Sequence, residues 1–186
     1  MSPLNLNAHT EKELVSLCLK GNRTACQQVF SLYSKKMMAL CYRFARDKSE
    51  AEDMLQEGFV RVFDKLDLFS GEGSLESWMR RVMINNALKY KQKYVTRFNY
   101  SEIENYHVHD PSPSIIDELS EGEILDVITT LPDGYRTVFN LYVIEGYSHK
   151  EIADLLNIGE STSRSQLVKA RTLLRDKLTK IIRLAG

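Results

Sequence analysis

The feature that most constrains this chain is a spacing. Ser or Thr stands three residues ahead of Glu, just before an apolar run of helical period, at Thr10/Glu13, Ser49/Glu52, Ser120/Glu123 and Ser148/Glu151. In such a pair each side chain closes a backbone N–H that the first turn of a helix leaves open. No segment alternates with the period of two that a half-buried strand needs. The expected fold is therefore all-α. Gly21 closes a first short helix. A second runs from about Thr24 to Ala45, with Val29, Leu32, Tyr33, Leu40 and Phe44 facing inward. A third spans Ser49 to about Leu66 and buries Leu55, Phe59, Val62, Phe63 and Leu66. "DLFSGEGS" reads as a loop. A fourth helix covers Leu75 to about Tyr94, with Met79, Val82, Met83 and Tyr90 on its core side. "HDPSPS" has the composition of a linker. Helices follow at about Ser120–Thr130, Gly134–Glu145, Ser148–Asn157 and Ser161–Arg183. Two small helical domains, 1–97 and 119–186, are expected, with an acidic flexible linker over 98–118.

The segment from Tyr147 to Leu174 has the plan of a helix–turn–helix: a short helix with Ile152, Leu155 and Leu156 inward, a turn at "NIGE", and a longer second helix. Gly159 is available there for positive φ. Leu167, Ala170, Leu174, Leu178 and Ile181 share one face of the second helix. Ser161, Thr162, Ser165, Val168, Lys169 and Thr172 occupy the other, with Arg164 on the flank. Short hydroxyls and cations suit phosphates and base edges, and Val168 suits a thymine methyl.

Charge supports a polyanionic partner. Lys and Arg total 25, as do Asp and Glu, so the net charge is zero. The signs are nevertheless segregated. No cation occurs from Phe98 to Tyr135, a stretch holding Glu102, Glu104, Asp110, Asp117, Glu118, Glu121, Glu123, Asp126 and Asp133. Before it come Arg80, Arg81, Lys89, Lys91, Lys93 and Arg97; after it Arg164, Lys169, Arg171, Arg175, Lys177, Lys180 and Arg183. Two basic surfaces around an acidic connector fit a chain that touches nucleic acid at two places.

In the fourth helix aromatics stand beside Arg and Asn, a combination that suits single strands: rings stack on any base and cations hold the backbone. Trp78 fits equally as a base-stacking ring or as a core anchor. On the third helix Asp53, Gln56 and Glu57 form a polar, acidic patch that suits a basic protein surface better than DNA. Cys18, Cys26 and Cys41 have no metal-ligand spacing and lie far from His107 and His109, so they read as small buried or half-buried thiols. No apolar run approaches membrane-spanning length, and "MSPLNLNAHTEKEL" lacks the layout of a signal peptide. A cytoplasmic protein is expected.

"AEDMLQEGFVRVFDKL", then "SWMRRVMINNAL", an acidic linker, and "LPDGYRTVFNLYVIEGYSHKEIADLLNIGESTSRSQLVKARTLLRDKL" together resemble the bacterial extracytoplasmic-function (ECF) sigma factors, over about Phe30 to Leu178. The resemblance implies sigma regions 2 and 4 without region 3. It also implies binding to the RNA polymerase core enzyme, recognition of promoter DNA and control by an anti-sigma factor. Asp53, Gln56 and Glu57 match the family's polymerase-binding segment. Trp78, Arg81 and Asn85 match its −10 segment, to which Phe69, Arg80 and Lys89 are added. The loop from Phe69 to Ser74 matches the loop that receives a flipped base. Arg164, Ser165, Val168 and Lys169 match −35 recognition positions, beside Ser161 and Thr162. The linker is implied to occupy the polymerase's nucleic-acid channel as an acidic mimic. Lys89 departs from the family's usual Asp, Met79 and Met83 from Leu and Ala, and Ser163 from Val.

Another function class is a stand-alone helix–turn–helix regulator with an N-terminal sensing domain; it leaves the Asp53–Glu57 patch and the basic fourth helix without a role. The third class is an enzyme. No nucleophile–base pair, metal cluster or phosphate-binding glycine loop is visible, so neither catalysis nor a cofactor is expected.

Overall fold

A computed structural model of the chain describes residues 10–95 and 121–185. Among these residues the regular structure is all helical: α1 (Glu11–Leu19), α2 (Arg23–Phe44), α3 (Lys48–Asp64), a 3₁₀ turn (Leu66–Leu68), α4 (Leu75–Val95), α5 (Glu121–Thr129), α6 (Asp133–Phe139), a π turn (Asn140–Ile144), α7 (His149–Leu156) and α8 (Glu160–Ala185). The chain divides into two compact units, residues 1–41 with 47–94 and residues 42–46 with 95–186. The expected linker at 98–118 and the Ser120/Glu123 box lie outside the described residues.

Two of the expected capping boxes form. Thr10 and Glu13 close α1, and Ser148 and Glu151 close α7, each with both reciprocal bonds. The box expected at Ser49/Glu52 does not form. Asp47 is the N-cap of α3 and accepts from Glu50 N at 2.8 Å. Aspartate is a strong N-cap in extended backbone, so the helix starts earlier than Ser49. Glu52 then pairs loosely with Lys48 at 3.8 Å.

In the first unit Val29, Tyr33, Met37, Leu40, Met54, Phe59, Val62, Leu66, Met79 and Met83 are buried. Each fully buried side chain of this size stabilises the fold by roughly 1.5–3 kcal/mol. The inward face of α2 is narrower than expected, since Leu32 is exposed. On α3, Ala51 and Met54 take the deep positions, while Leu55 and Phe63 are half-buried. On α4 the buried arc is wider: Ile84, Ala87 and Leu88 join Met79 and Met83, with Val82 and Tyr90 at its margin. Gly58, mid-helix where glycine normally costs about 1 kcal/mol against alanine, sits at a close approach of α3 to α4. A Cβ there would lie 2.2 Å from Met83 Sδ. Next to it Asn86 is buried and donates from Nδ2 to Met54 O at 3.0 Å.

Glu11 ties three helices together. It accepts from Tyr33 Oη on α2 at 2.7 Å and from Leu75 N at the start of α4 at 3.0 Å. Burial, and then the Glu11 carboxylate, push the Tyr33 phenol above its ordinary range. Cys18 and Cys41 are buried and Cys26 is half-buried, all as free thiols. Burial first, then the neighbouring Cys26, push the Cys18 thiol up to about 12.

In the second unit α8 packs against α5, α6 and α7. Val127, Ile128, Leu131, Ala170 and Leu174 form the centre, flanked by Tyr135, Phe139, Leu173 and Leu178. The helix expected over Gly134–Glu145 is α6 continued by the π turn. The wider turn ends where Glu145 N meets Asn140 O at 3.0 Å, and Tyr142, Val143 and Ile144 are left exposed. Arg136 is buried; it donates to Thr129 O at 2.7 Å and pairs with Asp133, so it closes the last carbonyl of α5.

Candidate nucleic-acid and polymerase interfaces

The helix–turn–helix forms as α7 and α8. The turn is not built as expected, however. Gly159 has no positive φ; Asn157 takes the left-handed conformation instead, at φ 53° and ψ 49°, as the C-cap of α7. Asparagine tolerates this region with little strain. A Cβ on Gly159 would meet Thr162 Oγ1 at 3.5 Å, an ordinary contact, so space does not demand glycine. The Gly159 carbonyl accepts from Ser163 N at 3.0 Å and opens α8.

Ser161, Thr162, Arg164, Ser165 and Val168 are exposed on α8. Ser165 Oγ donates back to Thr162 O at 3.0 Å, and Thr172 Oγ1 to Val168 O at 3.1 Å, leaving both hydroxyl oxygens free to accept. Arg164 pairs with Glu160 one turn away. Exposed pairs of this kind contribute little and open readily. Lys169 differs from the others. It is half-buried, with Nζ 5.9 Å from the centroid of the Tyr135 ring. A cation over an aromatic face is drawn to its negative quadrupole. Arg171 is exposed three residues beyond Val168 and belongs to the same face, although it was not among the expected contacts. Its spacing from Val168 was the available signal.

Arg81, Asn85 and Lys89 are exposed at successive i, i+4 positions of α4 and form one stripe. Arg80 is half-buried. At the head of the stripe the Phe69 ring lies 5.7 Å from the Trp78 ring, tilted by 52°, and both are half-buried. The loop between them turns on Gly71 and Gly73, at φ +79° and +76°, a region where a side chain is strained. Ser74 caps α4 by accepting from Ser77 N at 3.2 Å. A cleft of about 500 Å³ opens between this loop and α1, lined by Lys12, Ser16, Leu19, Lys20, Phe69 and Ser70.

Asp53, Gln56 and Glu57 are exposed together on α3. Asp53 accepts from Tyr90 Oη at 3.4 Å, and Glu57 pairs with Arg61 at 2.7 Å. Exposed Val60 and Phe30 add an apolar margin; the Phe30 ring packs 4.6 Å from that of Phe59. Sequence reading missed this margin because lone apolar residues on a helix surface are common.

Residues 29–96 match the family described as Sigma-70 region 2, and residues 121–174 match Sigma-70, region 4. The chain belongs to the ECF sigma factors. It is similar to the ECF RNA polymerase sigma-E factor of Haemophilus influenzae, 26% identical over 91% of this chain and 95% of that protein. It is also similar to the ECF RNA polymerase sigma factor SigW of Bacillus subtilis, 28% identical over 90% of this chain and 96% of that protein. In fold this sigma factor resembles the sigma factor RpoE crystallised with the anti-sigma factor NepR from Bartonella quintana: TM-score 0.51, 20% identity, covering 83% of this chain and 96% of that one. The region 2 match takes in both the α3 patch and the α4 stripe, which a stand-alone regulator leaves unused. No helix among the described residues is long and apolar enough to cross a membrane. No group of His, Cys, Asp or Glu among them could hold a metal ion.

Proposed function

We propose that this sigma factor divides its work among three faces. The exposed side of α8, with Ser161, Thr162, Arg164, Ser165 and Val168, reads the −35 element, joined by Arg171. Lys169 reaches the same DNA by leaving the Tyr135 ring. Arg81, Asn85 and Lys89, with Arg80, Phe69 and Trp78 at the loop, hold the −10 non-template strand once base pairs break. Asp53, Gln56 and Glu57, bordered by Val60 and Phe30, dock on the core polymerase; an acidic patch with an apolar margin suits a basic protein surface. Residues 1–97 act as the region 2 domain, 98–118 as an acidic tether in the polymerase's nucleic-acid channel, and 119–186 as the region 4 domain. The protein works in the cytoplasm without catalysis or a cofactor of its own. An anti-sigma factor covers these faces when transcription is not required, in line with the complex in which the Bartonella relative was crystallised.

The observation that carries this reading is the Arg81–Asn85–Lys89 stripe ending on the Phe69–Trp78 pair. A reader of closed duplex has no need of aromatics at a mobile-base position; a holder of unpaired bases does. The test is transcription in vitro from a pool of genomic upstream regions, with and without purified core polymerase. Specific transcripts should require both proteins. Protection of the same sites by the free chain at equal concentration would instead mark a self-sufficient regulator.

A further inference from the structure

His149, the first residue of α7, joins three parts of the helix–turn–helix unit. Its Nδ1 lies 2.9 Å from Oγ of Ser163, which is fully buried on α8. Its ring stacks on Tyr142 of the π turn, at 4.3 Å between centroids and 21° between planes. Nε2 has no hydrogen-bond partner among the described residues. The charged groups facing the ring from α8 are Arg164, Arg171 and Glu160, and from the π turn the neighbouring group is the Tyr142 phenol. Partial burial, then Arg164 and Arg171, hold the imidazole below its ordinary range against an opposing pull from Glu160. In the free protein these surroundings disfavour the charged imidazolium.

In a helix–turn–helix the first helix crosses the sugar–phosphate backbone while the second enters the major groove. In that arrangement the N-terminus of α7 would face the backbone with the positive end of its dipole, the Ser148–Glu151 box having closed two of its N–H groups. Phosphates arriving there neutralise Arg164 and Arg171 and reverse the field at the imidazole. We propose that His149 forms part of the −35 interface and takes up a proton when it meets the DNA backbone, so that promoter binding strengthens as the pH falls through the imidazole range. The imidazolium then donates from Nδ1 to Ser163 and from Nε2 to a phosphate oxygen. Proton uptake and DNA binding are reciprocal, so each unit by which DNA raises the imidazole pKa tightens binding about tenfold below both values.

The inference rests on the reading of α8 as the −35 helix, and the experiment separates the two. The full chain, assembled with core polymerase, is titrated with a labelled short duplex selected by the holoenzyme, from about pH 8 to about pH 5.5. Wild type should bind several-fold tighter at the acid end. His149→Gln and His149→Lys, one never charged and the other always charged, should both lose that part of the slope. A slope unchanged in both variants overturns the inference. Val168→Ala is titrated in parallel: if it weakens the −35 contact while the His149 variants keep the full slope, the α8 reading stands and the proton uptake alone is wrong.

Discussion

The ring of Phe69 lies against that of Trp78, 5.7 Å between centroids and tilted by 52°. The pair joins the loop from Phe69 to Ser74 to the first turn of α4. Such a contact contributes about 0.5–1.5 kcal/mol beyond area burial. Trp78 is half-buried, so its indole supports the loop from one side and keeps an open edge. Trp78→Ala should loosen the loop and slow promoter opening by the holoenzyme, while Trp78→Phe should keep most of it. Fluorescence of 2-aminopurine placed in the −10 element follows the opening. Opening by Trp78→Ala at the wild-type rate would remove Trp78 from the mechanism.

Arg171 and Lys169 are predicted to differ. Arg171 is exposed on the face of Val168, whereas the Lys169 ammonium leans on Tyr135. Arg171→Ala should weaken −35 binding and, if the contact is to phosphate, lower the salt slope by about one. Arg164→Ala should act similarly, since its pairing with Glu160 is exposed. Lys169→Ala should cost less than either, because the lysine must leave the ring to reach DNA. Footprints across a salt series check the order. A larger loss from Lys169→Ala than from Arg171→Ala would mean that the Tyr135 contact does not persist on DNA.

What the sequence disclosed, and what it hid, follows from the range of the interactions. The helices and the exposed polar groups of α3, α4 and α8 were legible because period and capping act within a few residues. The start of α3 was missed because Asp47 and Ser49 are both competent caps, and only the backbone at Asp47 decides between them. The left-handed residue of the turn was assigned to Gly159 on conformational freedom, yet Asn157 holds it. Lys169 was placed on the open face by spacing alone; the partner that draws it aside, Tyr135, lies on another helix. The buried Arg136 was hidden for a different reason: its partners, Thr129 and Asp133, are close in sequence, but only the packing of α5 against α6 puts the guanidinium inside.

The α3 patch should be separable from folding. Asp53, Gln56 and Glu57 are exposed, and the groups that meet Asp53 and Glu57, Tyr90 and Arg61, are also polar. Reversing charge at Asp53 and Glu57 with Gln56→Ala should abolish binding to core polymerase while helical content by circular dichroism is kept. Val60→Asp should weaken the same binding if the apolar margin takes part. Capture of core enzyme by the triple variant at wild-type strength would assign the patch to another partner.

Gly58 should be the least replaceable residue of α3. The side chain a valine adds would begin 2.2 Å from Met83 Sδ and 3.1 Å from its Cε. Met83 is fully buried and has little room to give way. Gly58→Val should destabilise the first unit by about 1–3 kcal/mol through overpacking. Met83→Ala should recover part of that loss in the double variant, although it is costly alone. Denaturant unfolding of the four chains gives the coupling; strictly additive losses would show that Gly58 does not owe its place to Met83.

Ser148 and Glu151 should make the stability of the helix–turn–helix depend on pH. The Glu151 carboxylate accepts from Ser148 N at 2.8 Å and from Ser148 Oγ at 2.7 Å. These bonds hold its carboxyl below the ordinary value of 4.5, the side-chain bond being the larger cause. Because the folded-state value is depressed, the contribution is present above the ordinary glutamate range and is lost as the pH falls through the folded-state value. Ser148→Ala removes the hydroxyl that caps α7 through Glu151 N at 3.3 Å as well as the side-chain bond to the carboxylate. Loss of a serine N-cap costs about 0.5–2 kcal/mol. The deficit of Ser148→Ala against wild type should therefore be greatest near neutral pH. It should narrow on acidification, because protonated Glu151 gains less from Ser148 in the wild type too. It should not vanish, because the hydroxyl still accepts from the backbone of the first turn. Thermal unfolding of both chains from neutral pH to below the glutamate range measures this. A deficit that stays constant across the range would mean that the charge of Glu151 contributes nothing to the cap.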